Sequence, residues 1–355
     1  MPHCIHYGIC GGCAADDRHA IDKSARLHHA LARAGYDSPT LAPLVEVPLH
    51  TRRRADLAAT RKAGAISLGL HKARGVEVVD MRECVLLLPE ILALLPEIRI
   101  LLRSLQAFKS SGSVAINWLD HGPDILLRMD AAFTGPDKTK IINFARSHNA
   151  LRVSIATGTE SPEPVIILGS LAITFSGTPV EPPPGAFLQA SAEGEAAIIA
   201  ASLAGLPKFT KKSLIIELFA GAGTLSFALA QHARVEAYEG DPAAASAFDK
   251  AIRTNNLAGR LNVALRDLHR RPLLSADLAK AAVVVLDPPF AGASMQMRFL
   301  AQSGAKRIIY ISCNPEALAS DATQLHRAGY SLQSATPIDQ FPYSENVESV
   351  VVFAK

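Results

Sequence analysis

The five cysteines of the chain form groups that suggest two kinds of chemistry. Cys4, Cys10 and Cys13 make a C-x5-C-x2-C motif, Cys84 stands alone, and Cys313 lies far away. Three cysteines so close together and flanked by glycines favour a metal or cluster site over free thiols, because glycine lets the backbone wrap closely around an inorganic centre. Four thiolates suit zinc or an iron–sulfur cluster. A mixed Cys/His zinc site stays open because three histidines are near: His3, His6 and His19.

Cys313 follows an apolar run that predicts a buried strand, in a Ser-Cys-Asn-Pro motif at 312–315. A thiol at the carboxyl end of a parallel strand lies on the side of the sheet where ligands bind. This position favours a nucleophile over a buried structural cysteine. Near the C-terminus, Glu348 directly precedes another predicted strand and offers a carboxylate that can act as a base.

The loop at 217–224, Glu-Leu-Phe-Ala-Gly-Ala-Gly-Thr, lies between a predicted strand and a predicted helix. Gly221 and Gly223 permit a tight turn and a close approach of backbone to a ligand. Ser226 occupies the place of the third glycine of dinucleotide-binding loops, which disfavours NAD or FAD. Glu239 ends the next predicted strand and can bind both hydroxyls of a ribose, although an ordinary strand-end acid would look the same. The whole pattern favours S-adenosylmethionine.

Two methylation chemistries fit the motif after the next apolar run, Asp-Pro-Pro-Phe at 287–290. It resembles the motif of methyltransferases that act on exocyclic amines, in which an aromatic ring stacks on a flipped base. Carbon 5 of a pyrimidine is a poor nucleophile and requires a thiolate that first adds to carbon 6. A base must then remove the hydrogen from carbon 5. Cys313 and Glu348 would supply these two groups.

These residues need a fold that brings strand ends together. After a proline-rich stretch at 179–185, predicted strands alternate with predicted helices. The strands cover 213–219, 234–239, 281–286, 307–312 and 349–353, and the helices cover 224–232 and 242–255. This alternation predicts a doubly wound α/β domain over 181–355. Short apolar runs separated by turns predict a β-rich unit over 1–180, with one helix at 89–108.

Composition and charge limit the class of protein. Of 355 residues, 49% are hydrophobic and 19% charged, which is typical of globular rather than disordered chains. The most apolar run, 84–105, is interrupted by charges and prolines, so an amphipathic helix is favoured over a membrane span. No secretory leader is recognisable, and we expect a cytoplasmic protein without membrane contact. Seven basic residues and one acid lie at 48–76, which is either a solvated face or a face that binds phosphates.

In combination, these motifs resemble the RNA uracil-C5 methyltransferase family, specifically its iron–sulfur branch that modifies 23S ribosomal RNA. The resemblance covers most of the chain, including the cysteine motif, a Phe-Leu-Gln-Ala motif at 187–190 and the glycine loop. It implies a Rossmann-like class I methyltransferase domain preceded by a β-rich iron–sulfur and RNA-binding domain. It also implies S-adenosyl-L-methionine as cofactor and RNA as partner, with 23S rRNA favoured and tRNA possible. No obligate protein partner is implied.

The resemblance extends to the roles of individual residues. It implies that Cys313 is the nucleophile and that Glu348 removes the proton. Four cysteines are implied to bind a [4Fe–4S] cluster: Cys4, Cys10, Cys13 and Cys84. The residues implied to contact the cofactor or its surroundings are Gln189, Phe219, Gly221, Gly223, Thr224, Glu239, Asp267 and Asp287.

Two positions depart from the family pattern, since Phe290 stands where the family usually has arginine and Asn346 where it has histidine. Phe290 favours an alternative, an amine-directed nucleic-acid methyltransferase, which would leave Cys313 and Glu348 without a role. A second alternative is a non-catalytic iron–sulfur protein that binds RNA. Replacing Cys313 by serine and measuring methyl transfer distinguishes the three functions.

Overall fold

The computed structural model describes residues 4–293 and 295–355, and its strands form two large sheets and a short two-stranded one. His3, a possible zinc ligand, lies outside the described residues. In chain order the strands are β1 (Val45–Glu46), β2 (Arg54–Lys62), β3 (Ala65–Gly69), β4 (Ser111–Leu119), β5 (Gly122–Met129), β6 (Arg152–Thr157), β7 (Glu163–Ile167), β8 (Ile173–Phe175), β9 (Thr178–Val180), β10 (Leu214–Leu218), β11 (Arg234–Glu239), β12 (Leu261–Leu265), β13 (Val283–Leu286), β14 (Arg307–Ser312), β15 (Ser331–Asp339) and β16 (Glu348–Ala354).

Helices cover both large sheets. In chain order they are α1 (Lys23–Arg33), α2 (Pro89–Ser104), α3 (Gly135–Ser147), α4 (Ala192–Ala204), α5 (Ser226–Leu229), α6 (Pro242–Thr254), α7 (Ser275–Leu278), α8 (Met295–Gln302) and α9 (Pro315–Arg327). Over the described residues, none of these helices has the length and apolar character needed to cross a membrane.

The first sheet has the strand order β3-β2-β4-β5-β6-β7, with β5 and β6 parallel and the other neighbours antiparallel. Helix α2 packs on it through one face, because its buried residues recur every three or four positions, as in Ile91, Leu95, Ile98 and Leu102. The predicted helix at 89–108 is therefore confirmed, but it ends earlier because Leu105 adopts an extended conformation.

The second sheet has the order β1-β15-β16-β14-β13-β10-β11-β12. The strands from β10 to β14 run parallel, and β16 is antiparallel to both of its neighbours. The order reverses at β10, since β11 and β12 lie on one side of it and β13 and β14 on the other. Doubly wound sheets bind ligands in the crevice at such a switch point, outside the carboxyl ends of the strands. The predicted doubly wound α/β domain is confirmed.

Part of the N-terminal half packs on the second sheet. Strand β1 pairs in parallel with β15, and α1 buries Leu27 and Leu31 in the core that contains Tyr310. The sequence grouped residues 1–180 as one unit, and the structure adds that α1 and β1, within that range, belong to the packing of the second sheet. The same packing brings the segment before α1 to the loop between β15 and β16. There the N–H groups of Ala14 and Ala15 donate to the Tyr343 carbonyl at 2.7 and 3.1 Å.

Candidate active site

One cavity of about 880 Å³ lies at the carboxyl ends of β10, β13 and β14. The structure brings most of the predicted site residues to its wall: Gln189, Phe219, Gly221, Thr224, Glu239, Asp287, Cys313 and Glu348. They meet because Phe219, Asp287 and Cys313 each directly follow one of these three strands. A cavity of this size can bury most of a small-molecule ligand.

The glycine loop passes through the left-handed region at Phe219 (φ 62°), Gly221 (φ 56°) and Gly223 (φ 95°). A side chain at Gly223 would lie 2.7 Å from the rings of Phe227 and Phe248, so packing as well as φ requires glycine there. Around Gly221 no heavy atom of the described chain comes within 4 Å of an added Cβ, so a ligand can approach this backbone closely. Phe219 holds a conformation that is costly for a residue with a side chain, as is common at ligand sites.

Glu239 ties the glycine loop to the end of β11. Its Oε2 accepts a hydrogen bond from the Gly221 N–H at 2.6 Å, and its Oε1 accepts one from the Asp241 N–H at 2.7 Å. Each carboxylate oxygen has a second lone pair. Glu239 can therefore hold the loop and still accept hydrogen bonds from ribose hydroxyls.

Two residues predicted for the cofactor site do not line the cavity. Gly223 contributes through the packing of its loop. Asp267 follows β12, and its Oδ1 accepts hydrogen bonds from the N–H groups of His269 and Arg270 at 3.0 and 3.2 Å. The carboxylate of Asp267 thus closes a local turn.

Three carboxyl groups line the cavity, two of them buried (Glu217 and Glu348) and one half-buried (Asp287), and the pKa of each is raised. Burial raises the pKa of Glu217 to about 8 and that of Asp287 to about 7. Burial, followed by the charge of Asp287, raises the pKa of Glu348 well above its ordinary value. A low-polarity environment disfavours the charged carboxylate, so the protonated form persists to higher pH. Once ionised, such a carboxylate is a stronger base than an exposed one.

The Cys313 thiol shares this environment. Burial raises the pKa of Cys313 to about 12, and the charges of Glu348 and Asp287 add to the increase. The thiol by itself is therefore neutral at physiological pH. A positively charged ligand beside it would lower the pKa and favour the reactive thiolate.

Two glutamines connect the carboxyl groups of Asp287 and Glu348. Gln189 Nε2 donates to Asp287 Oδ2 at 3.1 Å, and Gln340 Nε2 donates to Gln189 Oε1 at 3.0 Å and to Glu348 Oε2 at 3.1 Å. The sequence predicted Gln189 but missed Gln340. Its position in the sequence could have indicated it, because Gln340 directly follows β15 at the cavity edge of the sheet, as Cys313 directly follows β14.

Two exposed aromatic rings lie on the wall of the cavity. Phe187 is 64% exposed and Phe290 is 58% exposed. The guanidinium of Arg54 lies 4.7 Å from the centre of the Phe187 ring. Asn314 Nδ2 donates to the Phe290 carbonyl at 2.8 Å, which ties the 287–290 loop to the segment that carries Cys313. Exposed rings beside a reactive group suit the stacking of a base.

The four cysteines predicted to bind an inorganic centre lie near one another. Cys4 Sγ lies 3.8 Å from the carbonyl oxygen of Glu83, the residue before Cys84. Burial raises the pKa of Cys13 to about 12, and the charges of Cys84, Cys10 and Cys4 add to the increase. Backbone N–H groups of His6 and Gly12 donate to the Sγ atoms of Cys4 and Cys10 at 3.4 Å. Within 4–293 and 295–355, no three His, Cys, Asp or Glu side chains already form a set of metal ligands. The donors nevertheless fit a thiolate-bound centre, because N–H groups stabilise sulfur charge.

The basic run at 48–76 does not form one solvated face. The Arg53 guanidinium donates to Glu195 Oε2 at 2.6 Å, and its side chain is only 11% exposed. Arg61 donates to the Leu102 carbonyl at 2.7 Å. The interpretation of the whole run as phosphate-binding is therefore wrong for Arg53, whose charge is used by a buried carboxylate. Lys62 and Arg74 remain exposed.

Comparison with known proteins gives matches to the C-terminal half of the chain and to the chain as a whole. Residues 183–355 match the family model of the tRNA (uracil-5-)-methyltransferases. Over its whole length the chain is 34% identical to an "uncharacterized RNA methyltransferase" of Brucella suis and 36% identical to another of Mesorhizobium japonicum, and it covers 84% of each.

Among solved structures, the chain resembles the tRNA (uracil-54, C5)-methyltransferase of Pyrococcus abyssi in complex with S-adenosyl-L-homocysteine. The TM-score is 0.68 over 94% of this chain and 84% of that one, at 17% sequence identity. This likeness shows that the chain has the α/β methyltransferase fold.

Proposed function

This chain belongs to the RNA uracil-C5 methyltransferase family and is an S-adenosylmethionine-dependent RNA methyltransferase, and we propose that it forms 5-methyluridine through a covalent adduct between Cys313 and carbon 6 of uracil. One arrangement carries the proposal. The Cys313 thiol and the buried carboxyl group of Glu348 line the same cavity as the glycine loop. Methylation at carbon 5 needs a thiolate, a base and a methyl donor together.

We assign the cofactor to the glycine-loop side of the cavity. When bound, S-adenosylmethionine supplies an electrophilic methyl group and a positive sulfonium charge. Gly221 leaves open space for its backbone to approach the ligand, and Glu239 can accept from the ribose hydroxyls. Asp287 and Gln189, which are hydrogen-bonded to each other, line the same cavity as the glycine loop and Cys313. A cation held there would lower the pKa of the Cys313 thiol, which opposes the effect of burial.

The proposed reaction uses two side chains in sequence. The Cys313 thiolate adds to carbon 6 of uracil, and the electrons of the 5,6 double bond move onto carbon 5 and the neighbouring carbonyl. Carbon 5 then takes the methyl group, and the donor leaves as a neutral thioether. Glu348 removes the remaining hydrogen of carbon 5 as a proton. The electrons of that bond restore the double bond and expel the thiolate of Cys313, and Glu348 passes its proton to solvent.

The surroundings of Glu348 support its role as the base. Its Oε2 is held by Gln340, whereas its buried Oε1 has no hydrogen-bond partner among the described residues. An oxygen held in place but not occupied by a donor can accept a proton from a substrate. The raised pKa of Glu348, caused by burial and by Asp287, strengthens it as a base.

We propose that RNA reaches the cavity as an unpaired or flipped nucleotide. The exposed rings of Phe187 and Phe290 offer surfaces for stacking, and Arg54 adds a positive charge beside Phe187. The cysteine motif resembles the branch that modifies 23S rRNA, which favours that target, and tRNA remains the second candidate. Mapping 5-methyluridine in both RNAs from cells with and without the gene identifies the target.

The N-terminal unit over 1–180 is proposed to be the iron–sulfur and RNA-binding part of the protein. Cys4, Cys10, Cys13 and Cys84 would hold a [4Fe–4S] cluster. Their mutual proximity and the N–H groups directed at two of the sulfurs support the assignment. All four ligands would be protein cysteines, so the cluster would stabilise structure rather than bind substrate.

Phe290 supports a second candidate function, methylation of an exocyclic amine, because an exposed aromatic ring follows Asp287-Pro288-Pro289. RNA that contains 5-fluorouridine separates the two functions. Fluorine cannot leave carbon 5 as a cation, so the proposed reaction stops at a stable protein–RNA adduct through Cys313. Turnover of ordinary RNA without any adduct on fluorinated RNA would eliminate the covalent mechanism and favour the amine-directed one.

A further inference from the structure

Lys23, the first residue of α1, is a lysine whose charge is almost entirely buried. Its side chain is 2% exposed. The ammonium Nζ donates to the backbone carbonyls of Phe341 at 3.0 Å and of Ser344 at 2.5 Å, and also to that of Asn346. An ammonium has three donors, so these three carbonyls use its full capacity. Asp339, 2% exposed, lies 3.4 Å away and balances the charge.

The three carbonyls belong to one short loop, 340–347, which joins β15 to β16. Gln340 and Phe341 at its start line the cavity, and Glu348 follows its end. Gln340 holds Glu348 through the hydrogen bond of 3.1 Å. The loop therefore sets the position of the proposed base and of the residue that holds it.

Carbonyl oxygens of one loop that are directed at the same place repel one another, because each carries a partial negative charge. A cation at the centre offsets this repulsion and fixes the curvature of the loop. Burial lowers the pKa of Lys23, and the charge of Asp339 opposes that effect. Removing the ammonium would leave three backbone acceptors without their donor in a buried region, which is costly.

We propose that Lys23 is a positioning residue for the methyl-transfer reaction, whose ammonium holds the 340–347 loop so that Gln340 and Glu348 face the target base. This inference rests on the proposed role of Glu348. It predicts that loss of Lys23 impairs proton removal after methyl transfer more than it impairs cofactor binding. The residue contributes from the N-terminal half of the chain to a site built on the second sheet.

The test compares Lys23→Met with Arg18→Met as a matched control. Arg18 donates to Asp339 Oδ2 at 2.9 Å and to the Val47 carbonyl at 2.7 Å, so the control loses a cation beside the same aspartate but leaves the loop carbonyls bound. The double variant Lys23→Met/Asp339→Asn removes the buried ammonium and its countercharge together, so the net charge of this buried region does not change. Three quantities are measured: the Kd for S-adenosylmethionine, steady-state turnover, and the fraction of protein in a denaturant-stable adduct with ordinary RNA.

For Lys23→Met and the double variant we expect an unchanged Kd, turnover lower by about tenfold or more, and accumulation of methylated adduct. Arg18→Met should show no accumulation. Turnover equal to that of the unmutated enzyme, or a parallel loss of cofactor binding and turnover without adduct, would overturn the positioning role. Failure of the unmutated enzyme to form an adduct on fluorinated RNA would instead overturn the proposed function itself, so the two failures are distinguishable.

Discussion

Glu348 lies close enough to Cys313 for its charge to raise the pKa of the thiol, in addition to the larger effect of burial. The group that the proposed reaction uses last therefore influences the group that it uses first, before any substrate binds. When Glu348 is ionised, its negative charge keeps Cys313 protonated, and a neutral group at the same place would release the thiolate at lower pH.

This relationship predicts a change in thiol reactivity. In Glu348→Gln the repelling charge is absent, so the pKa of Cys313 falls and more thiolate is present at a given pH. The thiolate fraction rises by about tenfold for each unit by which the pKa falls. Alkylation of Cys313 by iodoacetamide at about pH 9, followed by peptide mass spectrometry, should therefore be faster than in the unmutated enzyme, by a smaller factor because a thiolate of lower pKa is less nucleophilic. Glu345→Gln changes an exposed acid nearby and should leave the rate unaltered. Equal rates in all three proteins would show that Glu348 does not influence the thiol.

The order of the two proposed catalytic roles predicts different failures in two variants. Cys313→Ala should form no adduct with RNA and transfer no methyl group, because carbon 5 is never activated. Glu348→Gln should add its thiolate and methylate the base, and then stall, because nothing removes the proton. Denaturing gels with radiolabelled methyl donor should show methylated adduct in Glu348→Gln alone. Release of product by Glu348→Gln at the normal rate would assign the proton removal to another group.

The cysteine motif predicts a metal content that can be measured. Protein purified without oxygen should be brown and contain iron and sulfide in similar amounts. Both should fall together in Cys10→Ala, since loss of one of four thiolate ligands destabilises a [4Fe–4S] cluster. Cys313→Ala is the matched control and should keep its iron. Colourless anaerobic protein with one equivalent of zinc would exclude the cluster and retain the metal site.

The corrected interpretation of the basic run predicts that two arginines affect different properties, one RNA binding and the other stability. Arg74 is exposed, so Arg74→Ala should weaken RNA binding and reduce the slope of log affinity against log salt by about one. Arg53 is paired with Glu195 in a largely buried setting, so Arg53→Ala should instead lower the free energy of unfolding, by about 3 kcal/mol. Salt-dependent binding and thermal unfolding of both variants test this difference. A reduced salt slope in Arg53→Ala would restore that residue to the phosphate-binding surface.

Much of the second sheet could be predicted from the sequence, because its strands are continuous apolar runs bounded by turns. The predicted strand at 234–239 coincides with β11, and that at 213–219 exceeds β10 by one residue at each end. The helix predicted at 224–232 shrinks to Ser226–Leu229, because the chain after the glycine loop forms turns before it becomes helical. The fold class follows from the alternation of strands and helices along the chain, which is a local pattern.

Residue types and local spacing by themselves determined the chemistry available to this protein: a glycine loop for an adenosine cofactor, one isolated cysteine after a strand, a late glutamate and a cysteine motif. Only the tertiary structure decided which of these groups meet. Gln340 reaches Gln189, 151 residues away in the chain, and Lys23 reaches the carbonyls of the 340–347 loop from α1. Such contacts depend on strand order and helix packing, because a side chain's partner across a sheet leaves no periodic signal in either segment. For the same reason the sequence did not reveal that Arg53 forms an ion pair with Glu195.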